Sequence, residues 1–238
     1  MLCFSIMVIN DPGKKRDAEV LFLILSGLFI AAVITGNLIF QKFFHWDFFG
    51  IYTFELSVGI LPYPVTFLIT DIVSEIYGRK RANRVVITGL FAALFMLLII
   101  VVANDVPSTE WSPVNNNEFS EVFGLSFIAV LASVAAYLLA QLLDVRLFHF
   151  WKKLTKGKHL WLRNNASTFA SQFVDTFTVL FLLCSFGVVD WKLFGGLLLN
   201  GFLFKVMFAA LDTPVIYALV FLIRKHFGLK EASEELDF

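Results

Sequence analysis

The chain has 238 residues, of which 58% are hydrophobic, 16% are charged and 29 are Phe, and its mean hydropathy is +0.79. A soluble domain is nearer half apolar and a quarter charged, so this is a membrane composition. Lys plus Arg equals Asp plus Glu at 19 each, leaving no bulk charge for nucleic acid, and two cysteines without a Cys/His cluster support neither a zinc site nor a disulfide framework.

The N-terminal MLCFSIMVIN is apolar, but its basic residues follow the apolar run and no small-x-small cleavage site is present, so no signal peptide is expected. Segments able to cross a hydrocarbon layer of about 30 Å follow at 19–44, 56–77, 84–103, 122–148, 166–189 and 195–223. The expectation is an all-α membrane protein with six transmembrane helices in one bundle. Residues 1–18 are then an N-terminal segment and 224–238 a tail. The linkers are short except NDVPSTEWSPVNNNEFSE, a polar loop with no Lys or Arg.

Orientation follows from the cations. Lys14, Lys15 and Arg16 precede the first span; Arg79, Lys80, Arg81 and Arg84 join the second and third; Arg146, Lys152, Lys153, Lys156, Lys158 and Arg163 lie between the fourth and fifth; and Arg224, Lys225 and Lys230 follow the last. The opposite face has only Lys42 and Lys192. The positive-inside rule then puts both termini in the cytoplasm. Cys3 and Cys184 fall near opposite faces, so no disulfide joins them. The same cations could serve anionic lipid, although orientation alone accounts for them.

The second span, VTFLITDIVSEIYGRKRANR, carries Asp71 and Glu75 at i, i+4 and so on one face. An ionised acid at bilayer depth costs about 2.5 kcal/mol or more. At 1.5 Å per residue Asp71 lies about 12 Å above Arg79, too deep to reach the interface, and must face protein or water. Glu75, about 6 Å above it, is shallow enough to pair with Arg79 or Arg84. The fifth span carries Ser167, Ser171 and Asp175 at i, i+4, i+8, with Gln172 one turn before Thr176; the sixth carries Asn200, Lys205 and Asp212. Asp175, Lys205 and Asp212 fall near the middle of their spans. Lys205 is expected to pair with one of the acids, since an unpaired ammonium would lose its proton or draw in water.

Helix breakers cluster in the same region. Gly59, Pro62 and Pro64 delay the start of a regular second helix until about Pro64, and Pro214 cannot donate to the carbonyl of Ala210. Interrupted helices beside buried charge point to a transporter binding site. Neither a Gly-x-Gly-Asp, HExxH nor GxSxG element occurs, so no enzyme is expected; nor does a nucleotide-binding GxxxxGK[ST] loop, so ATP could act only through a partner.

The stretches PVTFLITDIVSEIYGRKRA, LRNNASTFASQFVDT and DTPVIY, the last preceded by Lys205, resemble the vitamin uptake transporter family, whose characterised members carry queuosine precursors. The resemblance runs from about Gly36 to Arg224 and leaves out the apolar N-terminus and the tail KEASEELDF. It implies a bundle similar to the substrate-binding subunits of energy-coupling-factor transporters, a bacterial inner-membrane location, and a 7-deazaguanine cargo such as preQ0, preQ1 or queuine. Family positions fall on Asp71, Glu75, Arg163, Asn165, Ser167, Gln172, Asp175, Lys205 and Asp212. A deazaguanine presents a ring N–H beside an exocyclic amine, which one carboxylate can accept, and an aminomethyl group adds a cation for a second. Gln172 or Asn37 could read its carbonyl. The expected substrate-binding set is therefore Asn37, Asp71, Glu75, Gln172, Asp175, Lys205 and Asp212, with no cofactor and no metal. The partners are a nucleobase, the lipid bilayer, and either a second copy or a coupling subunit. Transport is secondary or facilitated, or else the chain is the binding subunit of an ATP-driven system.

Overall fold

A computed structural model describes residues 6–8, 11–123, 127–156, 158–187, 189–229 and 234–237. Cys3 and Lys230 lie outside the described residues, as do the side chains of Arg163 and Asn164. In chain order the elements are β1 (Ile6–Val8), α1 (Pro12–Ile39), β2 (Phe43–Phe48), β3 (Tyr52–Ser57), a 3-10 turn (Val58–Ile60), α2 (Tyr63–Ile76), α3 (Arg79–Asp105), α4 (Asn116–Phe123), α5 (Phe127–Leu154), α6 (Leu160–Ser185), α7 (Trp191–Phe227) and β4 (Glu235–Asp237).

Five segments among the described residues are long and apolar enough to cross a membrane: Pro12–Ile39, Val58–Ile76, Arg79–Asp105, Asn165–Ser185 and Trp191–Phe227. The expected fourth span falls on α5, some of whose side chains lie outside the described residues. The helix ends follow local chemistry. Asp11 caps α1 by accepting from the Gly13 N–H at 2.9 Å, with Pro12 in the first turn. Asn115 and Glu118 cap α4 reciprocally at 3.0 and 2.9 Å. Asp190 opens α7 and Gly228, at φ 77°, closes it. Pro214 lies inside α7, which continues through it.

The expected spans 19–44 and 56–77 are cut back by a feature not foreseen. Residues 43–57 form an antiparallel hairpin, Phe43 opposite Ser57 and Phe48 opposite Tyr52. Its turn places Phe49 and Gly50 at φ 52° and 70°, the left-handed region that tight hairpin turns use. On its inner side Phe54 and Leu56 join Ile60 and Phe204, and Trp46 stacks on Phe54 and meets Phe204 edge-on. The expectation of an all-α chain is thus corrected by this hairpin and by a short parallel pairing of β1 with β4. The basic stretch between the fourth and fifth spans is also shorter than expected, because α5 runs on to Leu154 and takes Lys152 and Lys153 into helix.

The helices alternate in direction, so one end of the bundle carries the hairpin and α4 and the other carries the basic segments and both described terminal strands. At its centre is α2, ten of whose fourteen residues are buried, Asp71, Ser74 and Glu75 among them. The core packs Phe29 and Val33 of α1, Ile72 and Ile76 of α2, Val85 of α3, Phe148 of α5 and Ile216 of α7. Large apolar side chains such as Leu23, Phe91, Phe95 and Phe221 point outward, as a lipid-facing surface requires.

Candidate substrate site

A buried polar cluster joins α2, α6 and α7. The Lys205 ammonium lies 2.6 Å from Asp175 Oδ2, donates to Thr176 Oγ1 at 3.0 Å, and sits 4.2 Å from the centroid of the Tyr63 ring. The Tyr63 hydroxyl donates to the same Asp175 oxygen at 2.8 Å. Lys205 is 8% exposed and Asp175 1%, so each charge has left water and depends on the other for compensation. Of the acids expected as partners for Lys205, the structure selects Asp175 over Asp212. Tyr63 reaches this point because Pro62 and Pro64 place it in the first turn of α2, where missing N–H groups are tolerated.

Above the cluster, toward the hairpin, a cavity of ≈ 180 Å³ is walled by α1, the hairpin, α2, α5, α6 and α7. Its polar lining includes Asn37, Glu55, Tyr63, Tyr137, Asp175 and Lys205. Its wall is thin where α1 meets the 3-10 turn: a Cβ on Gly59 would come within 2.5 Å of Phe40 Cβ and 2.7 Å of the Gly36 carbonyl. Tyr137 packs edge-on against Tyr63 at 5.4 Å and accepts from Gln141 Nε2 at 2.8 Å. Asp175 Oδ1 is buried without a hydrogen-bond partner among the described residues. An anionic acceptor in that state is a ready ligand atom for an N–H donor.

A second chamber of ≈ 20 Å³ lies on the other side of Tyr63 and Lys205, lined also by Thr168, Gln172, Phe208 and Asp212. Tyr63 and Lys205 therefore form a partition common to both spaces. The Gln172 Oε1 is likewise buried without a partner among the described residues.

Asp71 and Glu75 line neither chamber. Asp71, 2% exposed, lies in side-chain hydrogen-bonding contact with Asp144 of α5, which also accepts from the Ser171 hydroxyl at 2.9 Å. Glu75 is an ion-pair centre at the basic end, 3.6 Å from Lys152 and 3.4 Å from Arg224, while Lys152 also meets Glu235 at 3.2 Å. Its partners are thus α5 and α7 residues, in place of the Arg79 or Arg84 expected from depth alone. Of the expected set, Asn37, Asp175 and Lys205 share the larger cavity, Gln172, Lys205 and Asp212 share the smaller, and Asp71 and Glu75 lie apart.

Sequence reasoning missed Glu55, Tyr63, Tyr137 and Asp144. Only Asp144 carried a signal, as an acid within the expected fourth span.

An apolar multi-span bundle with a cavity and a buried ion pair between its helices defines a multi-pass membrane protein. The chain belongs to the vitamin uptake transporter family: the family described as "Putative vitamin uptake transporter" matches residues 57–219. It is 27% identical over 164 residues to the "Probable queuosine precursor transporter" of Bacillus subtilis (strain 168), covering 68% of this chain and 70% of that one. A protein of the same name from Haemophilus influenzae is 29% identical over 126 residues, 53% of this chain and 51% of the relative, so the chain spans about half the length of that second relative. No solved structure matches the chain.

Proposed function

We propose that this chain imports queuosine precursors, the 7-deazaguanine bases preQ0, preQ1 or queuine, across the bacterial inner membrane by secondary or facilitated transport. The observation that carries the reading is the cavity of ≈ 180 Å³ lined by Asp175, whose Oδ1 is buried without a hydrogen-bond partner among the described residues. That volume lies below the roughly 300–1,000 Å³ of drug-sized pockets and suits a small planar molecule. The names of the two relatives point to the same cargo class.

In this reading the basic end faces the cytoplasm by the positive-inside rule, and the base enters from the hairpin end. Asp175 Oδ1 accepts from the amine edge of the base, the Asn37 amide meets its carbonyl, and, since the Tyr63 and Tyr137 rings stand edge-on to each other, one stacks on a face of the base while the other meets its edge. Glu55, which lines the cavity from the hairpin, then meets the aminomethyl cation of preQ1. The Lys205–Asp175 pair must open for the base to pass to Gln172 and Asp212. Asp71 then acts beside the pathway with Asp144, and Glu75 belongs to its inner end.

The test is uptake of labelled preQ1 into liposomes that contain this chain and no ATPase, with preQ0, queuine, guanine and unrelated vitamins as competitors. Uptake inhibited by the deazaguanines and indifferent to the vitamins is expected. Equal inhibition by the vitamins would overturn the cargo assignment, and uptake that requires an added ATPase would make the chain a binding subunit instead.

A further inference from the structure

At the basic end, a cavity of ≈ 460 Å³ opens between the α2–α3 turn and the last turns of α5. Its lining gathers Arg79, Lys80, Arg81 and Arg84 from α3 with His149 and Lys153 from α5, two segments that in the sequence are some seventy residues apart. Arg81 lies over the rings of Phe22 and Tyr77, 5.9 Å from each centroid. Arg79, Lys80, Arg84 and Lys153 form no ion pair among the described residues. The one carboxylate in the lining, Glu235, is already matched by Lys152 at 3.2 Å. Among the described residues, Arg79, Lys80, Arg84 and Lys153 therefore give the cavity an excess of positive charge.

The outward face of α3 continues this site along the helix. Lys80, Arg84, Ile87, Phe91, Leu94 and Leu98 follow one another at spacings of four and three, which puts them in one stripe. The four apolar members are 42%, 68%, 38% and 58% exposed, while Val85, Val86, Gly89, Ala93 and Leu97 on the opposite face are buried. A cationic cavity that runs straight into an exposed apolar stripe matches a ligand with an anionic head and hydrocarbon chains.

We propose that this cavity holds the headgroup phosphate of an anionic phospholipid whose acyl chains lie along the α3 stripe. Lys80 and Arg84 contact the phosphate from the stripe side, and Arg79 and Lys153 close on it from above. Charge recognition of this kind between spans is how basic pockets hold acidic lipid heads. The site is independent of the cargo and of the Asp175 chamber.

The probe is phosphatidylglycerol against phosphatidylcholine of the same chain length, added to the purified protein in detergent and read by native mass spectrometry. A preference of at least tenfold for phosphatidylglycerol is expected. Each cation near an anionic lipid contributes about fivefold, so Lys80→Gln with Arg84→Gln should remove up to about twenty-five-fold, enough to abolish a tenfold preference. Lys153→Gln alone should lower it by about fivefold, which keeps the test available if the double variant is unstable. Lys192→Gln, at the other end of the bundle, should leave it unchanged. Parity between the two lipids in the unmodified protein, or a preference that survives the double substitution, overturns the proposal. So does displacement of the lipid by an equal concentration of glycerol phosphate, which would mark a site for soluble phosphate.

Discussion

Replacing Lys205 with Met removes the ammonium and leaves the ionised Asp175 with the Tyr63 hydroxyl as its remaining partner. Both side chains are buried, at 8% and 1% exposure, so the uncompensated carboxylate should cost about 3–5 kcal/mol, the range for a broken buried pair. For a chain of this size that corresponds to a fall in thermal midpoint of roughly 6–20 °C. Asp175→Asn strands the ammonium against Thr176 and the Tyr63 ring, and should cost a similar amount. The double variant contains neither buried charge and loses mainly hydrogen bonds, each worth about 1 kcal/mol, so it should be more stable than either single variant. Lys205→Met combined with Asp212→Asn, by contrast, should be additive, because the structure records no bond between those residues. The assay is thermal unfolding in detergent of the three single and two double variants. Additive losses for Lys205→Met with Asp175→Asn, or a recovery only in the Asp212 pair, would refute the pairing and with it the partition between the chambers.

Asp71→Asn should abolish preQ1 uptake while leaving the protein in the membrane at its normal level; undiminished uptake by the variant removes Asp71 from the transport machinery. Gly59→Ala should lower stability by about 1–3 kcal/mol, since the new methyl meets Phe40 Cβ and the Gly36 carbonyl, and detergent unfolding midpoints measure it. With several acids and a lysine buried at depth, uptake should be driven by a proton gradient and fall when an uncoupler collapses it; indifference to the uncoupler in liposomes favours facilitated diffusion.

How far the site could be read from the chain depended on whether its chemistry was local. Asp175, Lys205 and Asp212 stood out because charge at mid-span is expensive wherever the helices pack, and Asp71 could be assigned a buried position from its distance to Arg79 alone. The choice of Asp175 as partner for Lys205 was not local, since residues 30 apart on two helices meet only when α6 and α7 take their final rotation. Tyr63 was further out of reach, its hydroxyl meeting a carboxylate 112 positions away. The hairpin at 43–57 was hidden for a different reason. The spans expected at 19–44 and 56–77 took in only its outer residues and left 45–55 as a linker, and the alternation of Trp46, Phe48, Phe54 and Leu56 is too short to stand out beside two long apolar segments. Lys152 reversed its expected role, because a cation counted toward orientation proved to be completely buried and tied to Glu75 and Glu235.

The residues common to both chambers, Tyr63 and Lys205, bring to the partition a phenol ring and one half of a buried ion pair. Such a barrier can be passed by rotamer changes, without one half of the bundle rocking against the other, yet it stays shut to small ions. A small ion passing from the larger cavity to the smaller must part the Lys205–Asp175 pair, and either partner left alone is an uncompensated buried charge. Each turnover then opens the path only while a base fills it, so this transporter should leak little current at rest and preserve the membrane potential of the cell that carries it.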